Sequence, residues 1–244
     1  MRIDSYLFLI GEAKSRTAAQ TLIEEGKVFY EGKQVKKPSL LLPENPDGKL
    51  EVRAQGCPYV SRGGLKLEAA LRHFSIDVSG LCVLDVGSST GGFTDCLLQN
   101  GASKVYAVDS GKAQLVPSLA EDARVVLRES CNARYLKSED FPEPIDMIVM
   151  DVSFISQTLL FPALSEILRK GGTMVTLIKP QFEVGRSGIG RGGIVRNQSL
   201  RDDAVRRVCA DALNYNFQSE GLIPSPITGG DGNYEFLAYF KKND

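Results

Sequence analysis

Residues Leu81 to Phe93, LCVLDVGSSTGGF, carry the densest chemistry in the chain. Leu81, Val83, Leu84 and Val86 form a short apolar run ending on Asp85-Val86-Gly87, the pattern of a strand buried on both faces of a parallel sheet. Gly87, Ser88, Ser89, Thr90, Gly91 and Gly92 make a small-residue turn, and Phe93 to Gln99 has helical periodicity. Such a unit presents backbone N–H groups at a helix N-terminus, where the dipole favours an anionic group. The next strand, Val105 to Val108, ends on Asp109, with 23 residues between the two acids. A carboxylate there can accept hydrogen bonds from both hydroxyls of a ribose. A glycine turn alone would suit any α/β protein, and the second acid tilts it towards a nucleoside. The turn matches neither G-x-G-x-x-G nor G-x-x-x-x-G-K-[ST], so dinucleotides and nucleoside triphosphates fit poorly.

Four more residues are of acid–base type. Lys66 falls in the first turn of a helix expected over Leu65–Phe74, where a cation opposes the dipole. Asp151 follows the strand Ile145–Met150, Lys179 follows the strand Thr173–Ile178, and Glu235 opens the strand Glu235–Tyr239. A lysine acts as a base only when burial or a second cation lowers its pKa, while a neighbouring carboxylate opposes that drop and fixes the ammonium in place. Two lysines and two carboxylates on separate elements can form such a set. Taken singly, each is an ordinary residue at an element end.

The elements must bring them together. Strands and helices alternate from Leu81 onward, which argues for an α/β, doubly wound sheet. A weak helix is expected over Gly111–Leu119, a strand over Arg124–Leu127 leading to Asn132, and a helix over Gln157–Leu168 ended by Lys170-Gly171-Gly172. A glycine-rich, arginine-bearing loop, Gly185 to Arg196, precedes a helix over Ser199–Leu213. Phe217–Ile223 and Glu235–Tyr239 read as a reversed pair at one end of the sheet. Ligands in such sheets bind at the carboxyl ends of the strands, where Asp85, Asp109, Asp151 and Lys179 all fall. Before this region lies a smaller α+β unit. Its helices are expected over Arg2–Ile10 and Arg16–Glu25, the second capped by Ser15 or Thr17, and its strands over Val28–Tyr30 and Lys49–Arg53. Pro43–Gly48 is a turn-rich break and Ala54–Pro58 a linker. Arg16, Lys27, Lys33, Lys36 and Lys37 would share one face.

Composition limits the choices. A length of 244 residues suits one large domain or two unequal ones, and the hydrophobic and charged fractions, 43% and 24%, are those of an ordinary soluble protein. No apolar stretch is long enough to span a bilayer, and no basic-then-apolar leader opens the chain. Five scattered cysteines without a C-x-x-C pair fit a reduced, cytoplasmic setting, and the lone His73 argues against zinc and against a Ser–His pair. With net charge −1, any nucleic-acid surface must be a local patch.

Asp85-x-Gly87-x-x-x-Gly91-Gly92-Phe93 resembles motif I of S-adenosylmethionine-dependent methyltransferases. Arg2-Ile3-Asp4, Ser15-Arg16-Thr17-Ala18, Leu22-Ile23, Gly26, Val28 and Gly32 resemble the S4 domain, an RNA-binding module. Four blocks are similar to the TlyA family: Ser61-Arg62-Gly63-Gly64-x-Lys66-Leu67, Met150 to Ser156, Ile178 to Glu183, and Gly232-Asn233-x-Glu235-Phe236. That family joins an S4 domain to an FtsJ-like methyltransferase domain and methylates a cytidine 2′-hydroxyl of ribosomal RNA. The resemblance implies a mostly parallel, seven-stranded Rossmann-like sheet over 61–244, a linker over 54–60 and an S4-like domain over 1–53. It implies S-adenosylmethionine as cofactor, held by Asp85, Gly87, Ser88, Ser89, Thr90, Gly91, Gly92, Phe93, Asp109, Asn132 and Asp151. It places the family's catalytic Lys-Asp-Lys-Glu tetrad on Lys66, Asp151, Lys179 and Glu235. It makes ribosomal RNA or a ribosomal subunit the partner, gripped by Arg2, Arg16, Lys33, Lys36, Lys37, Arg62, Arg186, Arg191 and Arg196, with no metal and no membrane. Two other classes compete: an RNA-binding assembly factor without catalysis, and a membrane-lytic haemolysin, the name some members carry.

Overall fold

The computed structural model describes residues 1–13, 15–43, 46, 50–52, 57–185, 188–190, 192–229 and 232–243. The chain divides into two compact units, Met1–Gly56 and Cys57–Asp244.

The first unit holds α1 (Ile3–Leu9), α2 (Arg16–Glu24) and a small antiparallel sheet of β1 (Val28–Tyr30), β2 (Lys33–Gln34) and β3 (Leu50–Val52), with β1 in the middle. Ser15 rather than Thr17 caps α2, its Oγ accepting the Ala18 N–H at 3.1 Å. Ile3, Leu7, Ala19, Ile23, Val28 and Val35 form a core of the unit's own. The expected strand ends Lys49 and Arg53 lie outside the described residues, as do most of the 43–48 turn and residues 54–56 of the linker.

The second unit runs α3 (Gly63–His73), β4 (Cys82–Val86), α4 (Gly92–Gln99), β5 (Lys104–Val108), α5 (Pro117–Ala120), β6 (Val125–Arg128), β7 (Ile145–Met150), α6 (Phe161–Ile167), β8 (Leu168–Ile178), α7 (Pro180–Glu183), α8 (Gln198–Leu213), β9 (Phe217–Pro224) and β10 (Phe236–Lys242). Its seven strands lie in the order β6-β5-β4-β7-β8-β10-β9. The first five are parallel, and β10 is antiparallel to both neighbours, the reversed pair expected at one end. Side chains alternate across the sheet. Leu84, Tyr106, Ile148, Met150 and Met174 join one core with Phe161 and Leu164 of α6 and Val208 of α8. Val83, Val105, Met147, Val149 and Val175 join another with Leu67 and Ala70 of α3 and Leu97 of α4. All five residues of β4 are buried, which is why its sequence reads as an apolar run interrupted only by Asp85.

Two expected elements differ. The helix over Gly111–Leu119 shrinks to α5, because Pro117 opens it and Ala113 takes a φ of +53°. The backbone N–H groups of Ala113, Gln114 and Leu115 are accepted by the Glu129 carboxylate instead of by a helix. The helix over Gln157–Leu168 splits into a 3₁₀ turn, Gln157–Leu159, and α6, whose second residue is Pro162. Leu168 already pairs with Ile145, so Lys170-Gly171-Gly172 forms an irregularity inside β8 rather than a helix stop.

Candidate active site

The ends of β4 and β7 meet at Gly87. Its φ is +84°, and a Cβ there would stand 2.5 Å from the Asp151 carbonyl oxygen, so no other residue lets these strands close. The Gly87 and Ser88 N–H groups both donate to the Val108 carbonyl, at 2.8 and 3.1 Å, which folds the turn over the end of β5. Asp85 shares its strand face with Val83 and points towards α4. There its Oδ2 accepts the Thr94 hydroxyl at 2.6 Å. Its Oδ1, and the Ser88 Oγ, are buried with no partner among the described residues. Burial pushes the Asp85 carboxyl up to about 7; the Thr94 hydrogen bond opposes the rise, and the negative charges of Asp151 and Asp109 add to it. Sequence reasoning stopped at Phe93 and missed Thr94, a fully buried hydroxyl in the first turn of α4.

Asp109 ties two loops together. Its Oδ2 accepts the Ser89 N–H at 2.8 Å and its Oδ1 the Gly111 N–H at 2.6 Å. Beside it opens a cavity of ≈ 580 Å³ whose walls include Gly87, Ser89, Asp109, Asn132, Asp151 and Phe154. The Asn132 side chain also caps a 3₁₀ turn, accepting the Arg134 N–H at 3.1 Å. Ser88, Thr90, Gly92 and Phe93 line a neighbouring pocket of ≈ 290 Å³, and Asp85 and Gly91 line neither. Gly87, Ser89, Asp151 and Ser153 border both spaces.

The four acid–base residues gather at this smaller pocket as two ion pairs. Lys179 Nζ lies 2.6 Å from Asp151 Oδ1 and donates to Ser153 Oγ at 2.8 Å. Lys66 Nζ donates to Glu235 Oε2 at 2.6 Å, and the two residues are 8% and 4% exposed. Lys66, Asp151 and Lys179 form the wall, and Glu235 stands outside it, holding Lys66. Topology explains the meeting. Asp151 and Lys179 end adjacent parallel strands, and β10 runs the other way, so Phe236 pairs with Ile178 and the residue before it arrives at the same carboxyl edge. The Glu235 charge also answers the oddly placed Lys66, which enters low-dielectric surroundings already paired.

The loop after β7 is pinned at both ends. Asp151 N–H donates to the Val86 carbonyl at 3.0 Å. At the other end Thr176 Oγ1 donates to Gln157 Oε1 at 2.6 Å, and Glu183 accepts the Ser156 hydroxyl at 2.6 Å and the Gln157 N–H at 3.0 Å. Burial raises the Glu183 carboxyl above its ordinary range, against these hydrogen bonds. At the apex Phe154 has φ +65° and is 91% exposed, with its ring centroid 5.2 Å from that of Phe182. Such strain is held only where the flanking structure over-determines it. Ser153 and Glu183 lie inside sequence blocks already singled out and Gln157 just after one, but their partners are 19 to 27 residues away, and no local spacing reveals them.

The basic residues fall in separate places. Arg2, Arg16, Lys33, Lys36 and Lys37 are exposed on the first unit, where Lys33, Lys36 and Lys37 border one cleft with Tyr30. Arg62 lines the smaller pocket. Arg196 is exposed, and its carbonyl accepts from Arg201. Arg186 and Arg191 lie outside the described residues. Among the described residues no cluster of His, Cys, Asp and Glu could hold a metal ion, and no helix is long and apolar enough to cross a membrane.

A mostly parallel seven-stranded sheet with this reversed strand pair and glycine turn belongs to the Rossmann-like methyltransferases. The comparisons with known proteins agree. The FtsJ-like methyltransferase model matches residues 59–242, and the S4 domain model matches residues 1–45. The 16S/23S rRNA (cytidine-2′-O)-methyltransferase TlyA of Mycobacterium tuberculosis is 40% identical over 98% of this chain and 89% of its own. Hemolysin A of Brachyspira hyodysenteriae is 43% identical over 98% of this chain and 99% of its own. A solved structure described as a hemolysin from Streptococcus thermophilus covers 100% of this chain and 89% of its own, at 44% identity and a TM-score of 0.80. The chain belongs to the TlyA family of FtsJ-like methyltransferases that carry an amino-terminal S4 domain.

Proposed function

We propose that this methyltransferase uses S-adenosylmethionine to methylate a ribose 2′-hydroxyl, that of a cytidine in ribosomal RNA. One observation carries the reading: the pocket walled by Lys66, Asp151 and Lys179 shares Gly87, Ser89, Asp151 and Ser153 with the larger cavity beside Asp109. A cofactor in the larger space and an acceptor in the smaller would meet across that border.

The residues fit the cofactor. Each Asp109 oxygen accepts one N–H and keeps lone pairs for ribose hydroxyls. The unpartnered Ser88 Oγ offers a further polar partner at the turn, and Asp85 sets a negative charge behind it. When bound, S-adenosylmethionine supplies an electrophilic methyl group on a sulfonium. The chain's own task is to hold the acceptor oxygen in line and take its proton. Lys179 is the residue for the proton, held by Asp151 and Ser153 so that its Nζ faces the pocket. Lys66, fixed by Glu235, adds a cation at the same wall. The exposed Phe154 ring at the rim of the larger cavity offers a stacking face to an unstacked base.

The decisive experiment is to map ribose methylation on ribosomal subunits and on free ribosomal RNA after incubation with the protein and labelled cofactor. A labelled cytidine 2′-O-methyl group is expected. Label on a base, or none with RNA of both subunits, would overturn the reading. A silent assembly factor would bind RNA in this assay without incorporation. The haemolytic reading predicts leakage of vesicles, and none is expected at saturating enzyme.

Two consequences concern the cofactor. Asp109→Ala should weaken its binding by about 1.5–3 kcal/mol, the worth of a charged hydrogen-bond set; unchanged affinity in calorimetry would exclude the ribose role. Asp85 should make binding pH-dependent. Its folded value of about 7 lies above the unfolded one, so by itself it favours folding most below about pH 4, and that contribution fades as pH rises through 7. A bound cation favours its ionised form, so binding should release a proton and tighten between about pH 6 and 8. Calorimetry in buffers of different ionisation enthalpy should show the release, and Asp85→Asn should remove it.

A further inference from the structure

Asp4 is fully buried, yet it is the meeting point of exposed cations. Arg2 grips it with two bonds, Nε to Oδ1 at 3.1 Å and Nη2 to Oδ2 at 2.8 Å. Arg16 approaches the same Oδ2 at 3.5 Å through Nη2. Gln20 Nε2 donates to Oδ2 at 2.9 Å, and the Ser5 N–H to Oδ1 at 2.8 Å. The carboxylate side chain has 0% exposure, while those of Arg2 and Arg16 have 43% and 55%. The Arg2 guanidinium holds the Asp4 carboxyl well below the usual carboxylate range, so it stays ionised at every working pH.

The geometry is that of a clamp. Two guanidinium nitrogens that contact one oxygen atom lie within a few ångström of each other. They would repel and swing apart without the charge between them. Arg2 spends only part of its five-donor fork on Asp4. The backbone continues the surface: Ile3 N–H donates to the Leu40 carbonyl at 2.8 Å and Arg2 bridges to Leu41, which sets the segment after Lys36-Lys37 alongside Arg2.

We infer that Asp4 is a positioning residue for RNA, holding Arg2 and Arg16 as one preformed pair for backbone phosphate. This rests on the RNA reading given above. A buried carboxylate beside two phosphate-binding arginines has two opposite possible effects. As a mere counter-charge it weakens RNA binding, and its removal strengthens it. As an organiser it strengthens binding, and its removal weakens it although the protein becomes more positive. The sign of the change decides.

The test uses the full chain and deproteinised ribosomal RNA, with affinity measured against salt. Asp4→Asn should lower affinity about tenfold, the worth of one charge-assisted bond, and reduce the salt slope by about 0.7–0.9 for each arginine that disengages. In an Arg2→Ala/Arg16→Ala background Asp4→Asn should add no further loss, since it acts through those side chains. Tighter binding by Asp4→Asn, or the same loss with and without the arginines, would overturn the inference. If Asp4→Asn does not fold, Gln20→Leu removes one bond to the carboxylate without changing charge, and RNA affinity equal to wild type would overturn it. Equal RNA affinity of wild type and Arg2→Ala/Arg16→Ala would also overturn it, whereas failure of the RNA reading shows separately, as no salt-dependent binding of ribosomal RNA by wild type.

Discussion

Lys179→Arg will bind cofactor and RNA nearly as wild type does and lose about 10²–10⁴-fold in methyl transfer. The substitution keeps a cation beside Asp151 and Ser153, so the ion pair and the loop it steadies survive. What it removes is the ability to become neutral, because a guanidinium does not lose its proton in a protein. A 2′-hydroxyl is a weak nucleophile, and without a group to receive its proton the reaction stalls. Single-turnover rates on ribosomal RNA make the measurement, since they exclude product release. A near-normal rate would leave Lys179 with electrostatic positioning alone. Asp151→Asn provides the companion result. It keeps the shape but removes the charge that orients Lys179, and it should reduce the rate while Lys179 can still accept a proton.

Lys66→Met will destabilise the methyltransferase unit by about 3–5 kcal/mol, and Glu235→Leu will do the same. Each leaves a charge buried with its partner gone. The carboxylate has little room to reach water, for Gly229 is fitted so closely that a Cβ there would stand 2.6 Å from Glu235 Oε1. Against a total stability of about 5–15 kcal/mol such losses are severe. The double variant Lys66→Met/Glu235→Leu should recover most of the stability, because apolar residues of similar volume replace a buried pair at little cost. It should not recover activity. Denaturant melts of the second unit, read beside methylation rates, separate the two effects. Single variants within about 1 kcal/mol of wild type would mean that water reaches the pair and that the burial argument fails.

Much of the fold was legible because it follows local rules. The run Val83–Val86 and the strand Ile145–Met150 carry the apolar pattern of buried parallel strands, and both formed as read. The reversed pair at the sheet end was legible from the two closing strands. The misreadings occurred where a distant group claimed the backbone. Glu129 took the N–H groups of residues 113–115, and Glu183 took the N–H of Gln157 while Thr176 held its side chain, so the helices that periodicity predicted from Gly111 and Gln157 formed only as the shorter α5 and α6. Pro117 and Pro162 marked the true starts and were given too little weight.

The sequence by itself determined the parts: a glycine turn between two acids, two lysines and two carboxylates at element ends, and a small unit with a basic face ahead of them. It did so because strand burial, turn geometry and capping are set by neighbours along the chain. Only the tertiary structure decided how those parts pair. Lys66 joins Glu235 across 169 residues and Lys179 joins Asp151, and both lysines line one pocket. Asp4, which the sequence showed only as one letter of the S4-like pattern, becomes the centre of an arginine pair. Side-chain charge is written in the sequence, but the choice of partner depends on strand order and on which groups lose water together, and those exist only once the chain has folded.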